Sequence, residues 1–469
     1  MWRMIKNEWK SLSRNRTLRW VTLGFMLVLT LSVVLGILQA GKQDQQQKQA
    51  QQQLREQWEN LDSMNPHGAA HYGTYVFKPS NLLGSLDEGV SSVTGNVLRV
   101  EGHVQNEMVY AEASQMQSVS KFGKLKSSLL LKYVLPLLLL FLAFDSVSRE
   151  KQSGRLKLLV LQGGKTSSIV WAKVLSIWTY GLGLLTLTVL IYAALNLQEV
   201  TGEMAGRTLF FFLSYAVYYF VLCGLTVLFS ARWQNATLAL TSMLGIWMFW
   251  SIFLPSIVLS SVEKWHELPS RNTFKAGMTE DRSKGLDGHN PADERGLALE
   301  AEILAEYGVE SLEELPINFD GIRMQADEEY GNQVWDIHFG DLRVVMEEQK
   351  RSYQWAGLFN PFISLQNASM GFAGSDNLHH HEFLVQAEAY RRKFIKTLND
   401  EHAYGGSTTG DWGWSADNEF FRSVPDFAYQ PVKMASIFPT YLPDILILLG
   451  WLVLVSLLLA FGTKRLQIL

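Results

Sequence analysis

The sequence predicts an α-helical integral membrane protein with six transmembrane helices, an N-terminal amphipathic interfacial helix and a mostly α-helical extracytoplasmic domain. Three observations lead there. Of 469 residues 48% are hydrophobic, and many of them are gathered into long runs without charge. Most of these runs reach the roughly 20 residues that cross a bilayer as a helix. Basic residues cluster between alternate runs, and acidic ones gather in the large segment on the opposite side. This separation explains a formal net charge of only -4, which gives no reason to expect a nucleic-acid partner.

Residues 1–20, "MWRMIKNEWKSLSRNRTLRW", open the chain. On a helix Trp2, Ile5, Trp9 and Leu12 form one stripe, and the flanking basic side chains can reach anionic headgroups, so membrane lipids are an expected partner. Span one, 21–40, is too long for a signal-peptide core and lacks an A-x-A cleavage signature. In the first extracytoplasmic segment, 41–126, the Gln-rich stretch Lys42–Leu61 is built of helix formers. The membrane helix is expected to continue there as a solvated stalk. His71–Gly102 has the Gly, Pro, Ser and Asn density of loops and short strands.

Span two, 127–144, contains Lys132, which is expected to snorkel toward a headgroup region. A cytoplasmic loop follows at 145–168, then span three (169–198), span four (208–230) and span five (236–262). The large extracytoplasmic domain is 263–441, span six 443–463 and a cytoplasmic tail 464–469. The runs Val21–Ala40, Val174–Gln198, Thr208–Ser230, Ala236–Val262 and Ile445–Thr463 hold no charge that would mark an ion path.

Orientation follows from the basic residues. Arg3, Lys6, Lys10, Arg14, Arg16 and Arg19 precede span one, and Arg149, Lys151, Arg155, Lys157 and Lys165 follow span two. Arg232, Lys464 and Arg465 fall on the same side, which the positive-inside rule makes cytoplasmic, with both termini inside. The single cysteine, Cys223, lies in span four. The external segments therefore fold without disulfides, as suits a bacterial inner membrane facing a periplasm.

In the large domain, Asn290-Pro291 reads as a cap and first residue of a helix ending near Gly308. A longer helix is expected from about Asp320 to Ala356. A third starts near His379, with Phe383, Ala387, Tyr390, Phe394 and Leu398 at helical spacing on a buried face.

Chemistry is sparse. "LKLLVLQGGKTSSIVWAKVL" at Leu156–Leu175 imitates a nucleotide-binding loop, but Leu159 stands where the initiating glycine is required. A Gly-Gly turn before a helix accounts for it. All ten histidines fall in the external segments, densest in "HHHEF" at His379–Phe383. A zinc helix needs H-E-x-x-H, whereas Val385 occupies the second histidine position. Consecutive helical side chains also point about 100° apart. His379, His380 and His381 are thus the metal candidates, but a structural role is expected and no metal site is assigned. "GGSTTG" at Gly405–Gly410 reads as a flexible loop. No catalytic residue and no cofactor is expected in this chain.

The cytoplasmic loop is more informative. Glu150, Gly154, Leu156, Leu158, Leu159 and then Lys173 resemble the first cytoplasmic loop of ABC-2-type permeases. That pattern is an acidic residue, a glycine, a leucine-rich helix, a turn and a lysine opening the next span. Arg155 departs from the family's frequent threonine, and Gly163-Gly164 replaces its proline turn. "HYGTYVFKP", "LDEGV" (Leu86–Val90) and "HH…F…AE.YR" (His380–Arg391) resemble a bacterial subgroup with long first and last external loops. The resemblance implies a coupling helix that contacts a separate ATPase through Glu150, Gly154, Arg155, Leu158, Gly163, Gly164 and Lys165, with Glu150 and Arg155 facing the motor. It also implies ATP and Mg²⁺ in that partner, P-loop ABC ATPase subunits, and pairing with a second copy or a similar permease chain.

Two functions follow. One is the permease subunit of an ABC exporter or mechanotransmitter. The other is a membrane-anchored periplasmic binding or scaffold protein that captures metal or a periplasmic protein through its external histidines.

Overall fold

The computed structural model describes residues 1–80, 82–111, 125–197 and 201–463. It is mostly helical. Among the described residues six helices are long and apolar enough to cross a membrane: Arg16–Glu59, Ser127–Gln152, Thr166–Leu195, Gly202–Arg232, Ala236–Trp265 and Met434–Gly462, here spans one to six. Three expectations fall partly or wholly outside the described residues: the end of span three at Gln198, residues 112–124, and the tail with Lys464 and Arg465.

The elements used below are α1 (Trp2–Arg14), α2 (Pro66–Tyr72), strands β1 (Thr74–Phe77) and β2 (Val97–Val100), α3 (Ser148–Gln152, the final segment of the span-two range), α4 (Arg155–Leu161), α5 (Arg271–Lys284), α6 (Ala292–Tyr307), α7 (Phe319–Trp355), α8 (Pro361–Ala373) and α9 (Asn377–Tyr404). Span four is the centre of the bundle. Its Phe211, Tyr215, Tyr218 and Tyr219 are fully enclosed, and it packs against spans three and six and against α8.

Span one does continue as a stalk. It is one unbroken helix of 44 residues, about 66 Å at 1.5 Å per residue. Its C-terminal end is held by the large domain. Trp58 Nε1 donates to the Phe421 carbonyl at 2.8 Å, and Arg55 donates to the Val424 and Arg422 carbonyls at 2.7 and 3.0 Å.

Spans two and five each contain one wide π turn, Leu130–Val134 and Phe249–Phe253. Pro136 and Pro255 follow, and proline brings no N–H to the ladder. The carbonyls five residues before them are satisfied from outside. Tyr219 Oη donates to Leu131 O at 2.8 Å, and Asn360 Nδ2 donates to Trp250 O at 2.7 Å.

β1 and β2 pair antiparallel, Thr74 opposite Val100, so the expectation of short strands holds. Pro291 is the cap of α6 rather than its first residue, and Gly308 ends the helix at φ 66°. On α9, Phe383, Ala387, Phe394 and Leu398 are buried as expected. α8 has no counterpart in the expectations. Nearly every residue of it is buried against spans four and six, as fits a helix that is small or apolar all round.

Candidate functional site

At one end of the bundle α1 lies along span three. Ile5 is buried, and Trp9 Nε1 lies 3.1 Å from the Ser176 carbonyl and 3.2 Å from Thr179 Oγ1, within donating distance of both. Trp2 stands exposed with its ring edge-on to Trp9 at 5.7 Å, and Leu12 is half-buried. The stripe of the sequence is therefore divided between span three and the surroundings.

Glu150 does not face outward. It lies on α3 and its carboxylate meets Lys173 Nζ at 2.8 Å, while Glu8 of α1 meets the same ammonium at 2.9 Å. Lys173 is 3% exposed, and a charge so placed must be paired. The acidic residue and the lysine of the loop pattern are thus partners of each other, so the Glu150 carboxylate is engaged within the chain. Ser230 Oγ of span four accepts the Val147 and Ser148 N–H groups at 3.0 and 3.1 Å, pinning α3.

Gly154 then takes a left-handed φ of 72°, which needs no Cβ, and the chain turns into α4. Leu156 faces inward, whereas Leu158 and Leu161 are 59% and 74% exposed. Arg155 and Lys165 are exposed too. Gly163 adopts φ 89°, and a Cβ on Gly164 would stand 2.7 Å from the Leu159 carbonyl oxygen. The turn that imitates a phosphate loop is a close helix-to-helix connection. Together α4 and its turn form an apolar, basic-edged knob on a fixed base.

At the opposite end the large domain meets the spans through buried polar contacts. Lys132 is not snorkelling. It is enclosed and paired with Asp87 at 2.5 Å, because the segment between spans one and two folds back over the end of span two. Ser369 of α8 donates to the same carboxylate, and its Oγ lies 2.9 Å from Tyr215 Oη of span four. Span six begins at Met434, so Asp444 lies inside its helix, fully buried. It accepts from Gln354 Nε2 at 2.5 Å and Asn367 Nδ2 at 3.1 Å. The charge-free run beginning at Ile445 therefore understated what the helix carries.

His379, His380 and His381 do not converge. His379 Nδ1 donates to Asp376 at 2.6 Å, and its Nε2 accepts from Arg207 at 3.2 Å. Neither nitrogen is left for an ion. Burial would raise the Asp376 carboxyl, but the hydrogen bond from His379 and the Lys350 ammonium hold it low. Burial, with Lys78 and His381 beside it, pushes His380 down to about 4.

In "AE.YR", Arg391 bonds Glu388 at 2.9 Å, Glu328 of α7 at 2.8 Å and Asn332 Oδ1 at 2.6 Å, joining α9 to α7. "GGSTTG" is pinned rather than loose. Asn318 Nδ2 donates to Ser407 Oγ at 2.9 Å, and the Phe319 N–H donates to Thr409 Oγ1 at 3.0 Å.

Two family models match. One, described as ABC-2 family transporter protein, covers residues 2–291, and one described as a domain of unknown function (DUF3526) covers residues 271–430. No curated protein and no solved structure matches.

Proposed function

The chain belongs to the ABC-2 family of transporter proteins, and from that premise we propose that it is the permease subunit of a bacterial exporter. ATP hydrolysis by a separate P-loop subunit, which holds the ATP and Mg²⁺, would be coupled here to export or to mechanical work outside the membrane. Permeases of this family generally pair with ABC ATPases, and a second copy or a similar chain would complete the pore or lever. The assembly would sit in the inner membrane with both termini cytoplasmic.

One observation carries this reading: Leu158 and Leu161 are exposed on a short helix whose base is fixed. α3 is tied to span four through Ser230, and to span three and α1 through Lys173. A force on α4 therefore reaches three membrane-contacting helices without first unfolding a loop. At the far end the contacts of Asp87, Lys132, Ser369 and Tyr215 join the spans to the large domain, so that a shift of the spans would be passed outward.

The deciding experiment is affinity purification of the solubilised chain from its native membrane. A P-loop ATPase recovered in stoichiometric amount, and lost with Leu158→Glu, is the expected result. Recovery of the intact, folded chain with no ATPase under any mild detergent would favour the anchored binding protein instead.

A further inference from the structure

Three histidines outside the HHHEF cluster come together in the external part. Asn65 caps α2 by accepting the His67 N–H at 2.9 Å, with Pro66 in the first helical position. His67 and His71, four residues apart, then share one face of α2. His103 follows β2 in a left-handed conformation, φ 64°. The Gly102 N–H donates to the Ala70 carbonyl at 3.0 Å, which fastens the His103 loop against α2.

One ligand nitrogen from each of His67, His71 and His103 lies within 4.8 Å of the others. The rings of His67 and His71 are 4.5 Å apart, and that of His103 is 5.5 and 5.3 Å from them. His67 Nε2 and His71 Nε2 approach to 3.1 Å. Two nitrogens about 2.0–2.1 Å from one zinc ion at a tetrahedral angle stand about 3.3 Å apart.

His103 is oriented as metal-bound histidines are. Glu328 Oε1 lies 3.0 Å from its Nδ1 and also accepts its backbone N–H, which turns Nε2 toward the other two rings. A carboxylate behind a ligating imidazole fixes its tautomer and raises its basicity. Glu328 is itself held by Arg391. A wall is provided by Trp412, whose ring is 5.5 Å from His67. Asn65 Nδ2 holds that loop by donating to the Trp412 and Trp414 carbonyls at 3.1 and 3.0 Å.

We propose that His67, His71 and His103 form an extracytoplasmic site for a borderline divalent metal ion of the zinc–copper class, with Glu328 as the positioning residue for His103. Imidazole ligands suit that class of ion, whereas Mg²⁺ and Ca²⁺ prefer oxygen. Three protein ligands leave a fourth position open, and open sites exchange ligands where closed four-ligand sites are structural. His71 is exposed, so the ion is reached from solvent. The site joins the first external segment to α7 of the large domain, and its occupancy bears on how those two parts are held.

The test uses the full-length chain in detergent, stripped with a chelator and titrated with Zn²⁺ alone against a competing chromophoric chelator. One ion per chain is expected, with affinity at least tenfold weaker in His71→Ala and unchanged in His289→Ala, an exposed histidine elsewhere. Co²⁺ bound to His71→Cys should add thiolate-to-cobalt charge-transfer absorption, a gain of signal that a misfolded variant would not produce. No retained ion, equal weakening by both alanine variants, or no charge-transfer band in the cysteine variant would each overturn the site.

Discussion

The enclosed ammonium of Lys173 in span three meets the half-buried carboxylate of Glu150 in α3 at 2.8 Å, and Glu8 of α1 reaches it from the other side at 2.9 Å. With Glu150 removed, Glu8 still pairs the enclosed Lys173 ammonium, but a second cation placed beside it has only that one carboxylate to neutralise both charges. Glu150→Lys places a second cation against Lys173. It is expected to lower the thermal midpoint of the detergent-solubilised chain markedly, with Glu150→Gln intermediate. An unchanged melt in Glu150→Lys would mean that the pair does not hold the bundle end together.

The exposed leucines of α4 should behave in the opposite way. Leu158→Glu and Leu161→Glu remove no buried contact, and surface changes of this kind usually stay within about 0.5 kcal/mol. The melt should therefore stay put while ATPase subunits are lost from the purified complex. Retention of the ATPase at the native ratio would remove α4 from the contact.

Nucleotide binding gives a third test. Gly163 and Gly164 form a close turn against Leu159, not a nest of N–H groups around a phosphate. The isolated, reconstituted chain should neither bind ATP at micromolar concentration nor hydrolyse it, and Lys165→Ala should leave that result unchanged. Micromolar binding abolished by Lys165→Ala would assign the motor to this chain.

Acid should weaken the part beyond the spans in two stages. His380 is pushed from 6.5 down to about 4 by burial, Lys78 and His381. Between those values the unfolded chain takes up a proton that the folded chain does not, so stability falls as pH drops from about 6.5 to 4. Burial would raise Glu328, but hydrogen bonding from His103 and the Arg391 charge hold it at about 2. Its contribution is present above about 4.5 and is lost as pH falls toward 2. Denaturant melts across pH should show both slopes, the first flattened in His380→Gln. A pH-independent midpoint from 6.5 to 4 would contradict the burial of His380.

The spans were legible because a bilayer tolerates no other arrangement of such long apolar runs, and the basic residues that bracket them are local signals. α8 was not. Thirteen residues carrying Ser364, Asn367 and Ser369 are too short for a span and too apolar for a surface helix, and only the surrounding bundle explains them. Pairings such as Lys132 with Asp87 depend on how the segment between spans one and two folds back, which periodicity does not report. Glu150 and Lys173 were both picked out, but not as partners, because a loop pattern gives spacing without direction. The H-x-x-x-H of His67 and His71 is visible in the chain. Its third member needed the path of β2 and the loop beyond it.

The side-chain donors beneath Leu131 and Trp250 have a mechanical consequence. A helix that bends normally loses a hydrogen bond on its opened side, and inside a membrane such a loss costs several kcal/mol. In spans two and five the ladder is already open before a proline, and Tyr219 and Asn360 already fill the gap. These two points can therefore act as pivots at which the inner and outer halves of a span change direction at little cost. Tyr219 belongs to the central span, while Asn360 caps α8. Rotation at one pivot is thus read by the core of the bundle and rotation at the other by the large domain, so two joints would steer separate parts.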